Sequence, residues 1–147
     1  MQILWTTLFD WLTELASDTT KLHGQWIGLY KAIDAPLGPN LKMADLTECN
    51  YPGYARQQLG TWNGPYIDTN TQAAINAPSM YFACSDTTTP NSVLGAFYGS
   101  ASAAGTLKLV DNFPAPMGMG TPSDAFTYIP GVGLDPAGNY GGGTVVQ

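Results

Sequence analysis

Glycine and proline interrupt this chain so often that long helices are excluded from all but its first segment. The sequence contains 17 glycines and 11 prolines, and they stand in short clusters with threonine, serine and asparagine. Such clusters are typical of turns between short strands. A chain of 147 residues is long enough to bury the core of one domain. We therefore predict a mainly β domain, a β-sandwich, with a jelly-roll as one form that it can take.

Residues 3–17 are the exception, because their leucines recur at helical spacing. Tryptophan and phenylalanine broaden this stripe, so the predicted amphipathic helix is apolar over more than half of its circumference. Two placements are open. The helix packs entirely on its own β domain, or it docks on a neighbouring subunit through a face made of Trp5, Leu8, Phe9 and Leu12. We divide the chain into a helical arm with its connection, residues 1–24, and a β-sandwich domain with a glycine-rich tail, residues 25–147.

The segment 42–62 combines several of the few charged residues with a rigid corner. Pro52 fixes its own φ, and Gly53 accepts the positive φ of a sharp turn. Residues 54–62 then alternate like a strand. We expect Arg56 to pair with one of two acids in a surface salt bridge worth about 0–1 kcal/mol. The predicted structural turn and salt bridge consist of Asp45, Glu48, Pro52, Gly53, Tyr54 and Arg56.

Further along the chain, the pattern predicts strands at 24–33, 93–100, 106–113 and 125–133, with 93–100 and 106–113 as the best hairpin. Asn63-Gly64-Pro65 predicts a sharp turn, and residues 114–123 a connection. The last strand, Thr144, Val145 and Val146, is expected to add an edge strand to its own domain or to a neighbour, which makes it a candidate subunit interface.

The charge distribution excludes two classes of binding protein. The net charge is −6, and the five basic residues are spread singly along the chain. A nucleic-acid interface requires a basic stripe, and a site for anionic membranes requires a polybasic cluster. We therefore expect neither partner.

The start of the chain and its two cysteines indicate the compartment of synthesis. The first residues lack a basic region before their apolar stretch, and Asp10 and Glu14 lie inside it, so we expect no signal peptide. Cys49 and Cys84 are then expected to be free thiols in a reducing cytoplasm.

No residue pattern specifies a reaction. His23 is the only histidine, and no second ligand at metal spacing accompanies it. No serine lies in a nucleophile elbow. We predict a non-enzymatic protein with no catalytic residues, no metal and no cofactor. Aromatic residues near turns make a carbohydrate-binding module the alternative, or else they fill the core or an oligomer seam; these residues are Tyr51, Tyr54, Trp62, Tyr66 and Tyr140.

Several motifs carry a resemblance to a known class of proteins. In order along the chain they are Ile27–Tyr30, Met43–Glu48, Gly53–Arg56 and Trp62, with further matches at 93–98 and 107–110. In these residues the sequence resembles a broad group of small virion proteins of tailed phages. The resemblance spans about residues 26–112, and its specific part is the MADLTE…GYAR block.

The resemblance implies a structural protein of a bacteriophage particle, foremost a capsid decoration or cement protein that bridges capsomers. Such proteins are often trimeric β domains, so the implied partners are the major capsid protein, other virion subunits and further copies of the chain. The implied location is the virion. The alternative is a tail, fibre or surface-adhesion module that binds host carbohydrate. In the first case, the helix and the last strand are the expected contact arms.

Overall fold

The computed structural model describes residues 2–147 and confirms a mainly β, sandwich-like domain with one N-terminal α-helix. The helix is α1 (Trp5–Ser17), and a short 3-10 helix spans Met43–Asp45. The strands are β1 (Trp26–Ile33), β2 (Leu46–Glu48), β3 (Gln57–Gln58), β4 (Asn63–Ile67), β5 (Ala73–Asn76), β6 (Met80–Ala83), β7 (Asn91–Gly99), β8 (Leu107–Met119), β9 (Ala125–Ile129), β10 (Gly131–Leu134), β11 (Tyr140–Gly141) and β12 (Thr144–Val146).

The strands form three antiparallel sheets, which we label A, B and C. Sheet A has the order β2–β1–β7–β8, with β3 also paired to β1. Sheet B has the order β11–β10–β5–β4, and sheet C has the order β12–β9–β6. The predicted hairpin is confirmed as β7 and β8, which pair over most of their length. The last strand, β12, pairs with β9 of its own chain.

Helix α1 is part of the domain and is not a separate arm. It packs on β4 and β5, and two of its leucines belong to the hydrophobic core. Leu8 is 1% exposed and Leu12 is fully buried. The backbone N–H of Ile3, just before the helix, also bonds the carbonyl of Pro136 at 3.1 Å. The predicted division at residue 24 between a helical arm and the β domain is therefore corrected, because the helix contributes Leu8 and Leu12 to the core of that domain.

Sheet A is covered on both of its faces. On one face Leu29 and Tyr98 join the main hydrophobic core. On the other face, aromatic rings of one strand lie over glycines of the next. Phe97 is paired with Gly28, and Tyr30 with Gly95. A Cβ atom added at Gly28 would lie 2.2 Å from the Phe97 ring, so only glycine leaves room for it.

The segment 54–62 differs from its predicted strand. Only Gln57–Gln58 pairs with β1, because the chain then turns inward to bury Leu59 and Trp62. The indole ring of Trp62 stacks on Tyr98 at a centroid distance of 6.4 Å, and its N–H donates to the Leu22 carbonyl. Alternating burial indicates a strand only where successive residues face opposite sides of one sheet. Here Leu59 and Trp62 are buried because the chain leaves the sheet and enters the hydrophobic core.

Two predicted breaks in the strands are also wrong. Residues 63–65 begin β4, whose pairing with β5 shifts at this point, and do not form a turn. Residues 114–119 continue β8, although they include two prolines. Proline lacks the N–H that a central strand needs, but β8 is the edge of sheet A and requires bonds on one side only.

The predicted strand at 125–133 divides at Pro130 into two strands that belong to different sheets. The first part is β9 of sheet C, and the second part is β10 of sheet B. Residues 125–133 therefore cross from sheet C to sheet B.

We expect Gly28→Ala to lower the free energy of unfolding by about 3 kcal/mol, because the new methyl group overlaps the buried Phe97 ring. Gly118→Ala is the matched control in β8, since nothing lies within 4 Å of its added Cβ atom. Urea unfolding of the two variants and the wild type measures the difference. Equal stabilities of the two variants would contradict the role of the Gly28–Phe97 pair.

Candidate functional site

The predicted turn and salt bridge form a buried cluster, which we call the Arg56 cluster. The Arg56 guanidinium binds both carboxylate oxygens of Glu48, through Nε at 2.8 Å and Nη2 at 2.7 Å. Its Nη1 donates to the carbonyls of Ala101 and Ala104, at 2.8 and 2.7 Å. The guanidinium also lies over the Phe97 ring, with its central carbon 4.9 Å from the ring centroid. This one side chain thus joins the turn, β2, β7 and the β7–β8 loop.

The structure corrects the prediction of a surface salt bridge. The Arg56 side chain is only 4% exposed, because it covers the aromatic face of sheet A. Of the two acids proposed as its partner, Glu48 is the one that binds. The Asp45 side chain instead accepts the backbone N–H of Lys42 at 2.8 Å, and this bond caps the N-terminus of the short 3-10 helix.

The corner of the cluster has the predicted geometry. Gly53 has a φ of 87°, and the N–H of Tyr54 donates to the Tyr51 carbonyl at 3.0 Å. Pro52 and Gly53 therefore occupy the central positions of a type II turn. The Tyr54 hydroxyl donates to Glu48 at 2.6 Å and accepts the N–H of Leu29 at 2.9 Å. The turn is thereby fixed to the central strand β1.

Charge pairing and burial set the protonation states of this cluster. The hydrogen bond to Glu48 raises the pKa of Arg56 further above its usual value. Burial is the main cause that raises the pKa of Tyr54 far above its ordinary range, and its bond to Glu48 adds to this. Both groups therefore keep their protons at neutral pH. The arrangement holds the turn, β2 and the β7–β8 loop together.

We expect Arg56→Lys to lower the free energy of unfolding by about 3 kcal/mol, because lysine cannot bind the carboxylate in two places and also reach both carbonyls. Glu14→Gln, which breaks the exposed pair between Glu14 and Lys21, is the matched control and should cost less than about 1 kcal/mol. Chemical denaturation measures both. A lysine variant as stable as the control variant would show that the cluster contributes no more than a surface pair.

The predicted subunit-interface residues fall into two groups. Leu8 and Leu12 are buried in the core, and Phe9 packs partly against it, so the prediction is corrected for the two leucines. Trp5 is 38% exposed and remains available. Trp11 of helix α1 is also exposed, at 46%, and so is Leu4 just before the helix, at 70%. The accessible apolar side chains therefore lie on the flanks of the helix, and its central face is occupied.

The residues of the last strand are placed in their own sheet. Thr144 and Val146 are exposed, whereas Val145 packs against the core. Because β12 pairs with β9 on one side only, its other edge is the free edge of sheet C.

The aromatic residues expected near turns are only partly at the surface. Tyr51 and Trp62 are buried, at 2% and 8% exposure, which excludes them as stacking platforms for a ligand. Tyr66 and Tyr140 are exposed, at 39% and 81%. Tyr81, which the sequence pattern did not single out, is 64% exposed on β6. The hypothesis that Trp62 contributes to a carbohydrate site is therefore wrong.

A carboxylate that sequence reasoning missed connects all three sheets. Asp111 lies on β8 of sheet A, and its Oδ2 accepts the hydroxyl of Tyr128, on β9 of sheet C, at 2.7 Å. The same oxygen accepts the N–H of Gly143 at 2.7 Å, where the chain passes from β11 of sheet B to β12 of sheet C. A Cβ atom at Gly142 would lie 2.1 Å from the carboxylate. The glycines of the tail thus permit close contact with Asp111. The glycine run is visible in the sequence, but its partner is not.

Burial raises the pKa of Asp111 above its usual value, and the bonds from Tyr128 and Gly143 oppose this only in part. A carboxyl whose pKa is higher in the folded state binds more protons when folded. The contribution of Asp111 to stability is therefore greatest below its unfolded pKa and declines as the pH rises through its folded pKa.

We expect the stability of Asp111→Asn, relative to the wild type, to increase as the pH rises through the folded pKa, because the amide oxygen accepts the same bonds without a charge. Asp124→Asn is the control with the opposite sign. Backbone hydrogen bonds lower the pKa of Asp124, so this variant should lose relative stability as the pH rises from the folded pKa of Asp124 to its higher unfolded pKa. Urea unfolding at a series of pH values tests both, and a pH-independent difference for Asp111→Asn would contradict the assignment.

A polar groove lies between sheets B and C, where the tail crosses. Its volume is about 290 Å³, and its floor is the bare backbone of glycines in β10 and β11. Its polar side chains come from β4, the β4–β5 turn, β5 and β12, and they are Tyr66, Asp68, Asn70, Gln72, Asn76 and Thr144. We call this site the polar groove.

The two cysteines are both buried and free, and no disulfide joins them. Burial raises the pKa of the Cys49 thiol to about 12, so it is protonated at neutral pH. The thiolate is the reactive form of cysteine, and Cys49 is therefore a core residue without nucleophilic character.

Within residues 2–147, no group of three or more histidine, cysteine, aspartate or glutamate side chains is placed to hold a metal ion. No helix among residues 2–147 is long and apolar enough to cross a membrane. No protein-family model, curated protein or solved structure gives a significant match to the chain.

Proposed function

We propose that the protein is a non-enzymatic structural subunit of a bacteriophage particle, a capsid decoration or cement protein that bridges neighbouring subunits. Its partners are the major capsid protein or other virion subunits, and further copies of the chain in a homo-oligomer, with a trimer favoured. The virion is its location. The sequence resemblance over residues 26–112 is the source of the virion assignment, and the surface of the domain supports a role in assembly.

The observation that carries the proposal is the uncovered apolar surface of α1. Trp11 lies in the helix, and Leu4 is the residue that immediately precedes it. Both are exposed, whereas Leu8 and Leu12 on the adjoining face are buried. Large apolar side chains that remain exposed together mark surfaces for protein contact, and tryptophan is enriched at the centres of such contacts.

The low charge of the chain supports the same role. Charged residues make up only 11% of the sequence, against about 25% in an ordinary soluble domain. Depletion of charge is the compositional mark of the central part of an interface. A surface with so few charges is suited to extended contact with other subunits.

The residues that carry the resemblance have a structural role in this chain. Met43, Glu48, Tyr54 and Arg56 form or contact the Arg56 cluster, which covers one face of sheet A. The MADLTE…GYAR block therefore supports a shared framework, and the contact surface has to be sought elsewhere on the domain.

A specific observation favours a second candidate, a tail, fibre or surface-adhesion module that binds host carbohydrate. The ring of Tyr66 is 39% exposed and lies at the polar groove. Exposed tyrosine offers both an apolar ring and a hydroxyl to a ligand.

We expect the wild-type protein to oligomerise in solution and to bind capsid shells assembled without it. The double variant Leu4→Gln/Trp11→Gln should weaken both kinds of binding at least about tenfold, because burial of each side chain contributes on the order of 1.5–3 kcal/mol. Light scattering measures the oligomeric state, and cosedimentation measures binding to shells.

Leu37→Gln is the matched control, since Leu37 is 58% exposed and lies in the loop after β1, outside the helix. It should leave both kinds of binding unchanged. Circular dichroism of each variant confirms that the β structure is retained. A wild-type protein that is monomeric and does not bind shells would reject the proposal and favour the adhesion module.

A further inference from the structure

We propose that the polar groove is a binding site for a neutral carbohydrate. This inference deepens the second candidate function by naming the site and the class of ligand, and it does not depend on the assignment to a virion.

The groove exists because side chains are missing from its floor. Gly133 of β10 and Gly141 of β11 are paired with each other across sheet B. A Cβ atom at either position would lie 2.7 or 2.6 Å from the Oε1 atom of Gln72. The Gln72 side chain therefore lies directly on the glycine backbone, and any other residue in the floor would displace it. The carboxamide is held at the surface of the groove by this contact.

The polar side chains around the floor are uncommitted. Across residues 2–147, no hydrogen bond joins the side-chain polar atoms of Tyr66, Asn70, Gln72, Asn76 or Thr144 to another protein group. Three of the five are amides, which both donate and accept, and two are hydroxyls with the same property. A ligand that offers many groups of this double character in a small volume is a polyol or a sugar.

The electrostatics of the groove select against a charged ligand. Asp68 is the only ionisable acid or base in its lining apart from the phenol of Tyr66. The Asp68 Oδ1 atom accepts the backbone N–H groups of Asn70 and Gln72, both at 2.9 Å, so that it shapes the β4–β5 turn. No lysine or arginine lines the groove, and the chain carries a net charge of −6. An anionic ligand such as a phosphate or a sialylated glycan is therefore repelled.

The size of the groove and its aromatic side favour one sugar unit of a longer chain. A volume of about 290 Å³ is just below the range for small-molecule sites, about 300–1,000 Å³. The groove is open to solvent, so a glycan can continue beyond it. Tyr66 follows the irregular pairing of β4 and is 39% exposed, which leaves part of its ring free for apolar contact with a sugar face.

An array of neutral mono- and oligosaccharides, including glucans, galactans and N-acetylhexosamine oligomers, tests the proposal beside sialylated and sulfated glycans. We expect binding to at least one neutral glycan and none that requires a charged group. Calorimetric titration with that neutral glycan then compares variants of the full chain.

We expect Gln72→Ala and Tyr66→Ala each to weaken binding about tenfold. Gly141→Ala should abolish it, because the added methyl group displaces the Gln72 carboxamide into the groove. This substitution meets only the far end of a flexible side chain, so the fold is retained. The matched controls are Gln58→Ala on β3 and Tyr81→Ala on β6, both exposed and outside the groove, which should bind like the wild type.

Thermal unfolding of every variant checks that the fold is intact. Three results would overturn the proposal. They are the absence of binding to any neutral glycan at millimolar concentration, a requirement for an anionic glycan, and a loss of binding in the controls as large as in the groove variants. If the array is negative while the protein still binds capsid shells, the carbohydrate site is rejected and the structural role is unaffected.

Discussion

The assembly of this domain depends on one carboxylate, because Asp111 is the point at which its three sheets meet. From β8 of sheet A it binds Tyr128 of sheet C and the backbone of Gly143, which joins sheet B to sheet C. The Tyr128 hydroxyl in turn lies 3.1 Å from the hydroxyl of Tyr98, on β7. The sheets are too short to enclose a core separately. The hydrogen bonds from Tyr128 and Gly143 offset part of the cost of burying this carboxylate, and they link the three sheets directly.

The sequence predicted the elements whose side chains repeat with a simple period. Helix α1 follows from leucines spaced by three or four residues, and β7 and β8 follow from the alternation of residues 93–100 and 106–113. The corner at Pro52 and Gly53 was predictable because each residue has a restricted or unusual φ. The prediction was wrong where tertiary contacts override local pattern, as at Trp62, which leaves its strand to stack on Tyr98. It was also wrong for the prolines after Phe113, which an edge strand tolerates.

The candidate sites were less predictable than the fold, for a physical reason. The pairing of Arg56 with an acid eight residues away could be inferred from proximity in the chain, although its burial could not. The partners of Asp111 are 17 and 32 residues distant. The polar groove likewise brings Gln72 onto Gly133 and Gly141, which come much later in the chain. Such meetings are decided by how sheets pack, and no local spacing of residues encodes that.

The burial of Leu8 and Leu12 lowers the entropy cost of any contact that α1 would make with another subunit. A detached helix becomes ordered only when it binds, and that loss of conformational entropy opposes association. Here the domain has already ordered the helix, so Leu4, Trp5 and Trp11 are held on a rigid, preorganised surface. The binding of a partner to these side chains would therefore carry no entropy cost for ordering the helix, although the other costs of association would remain.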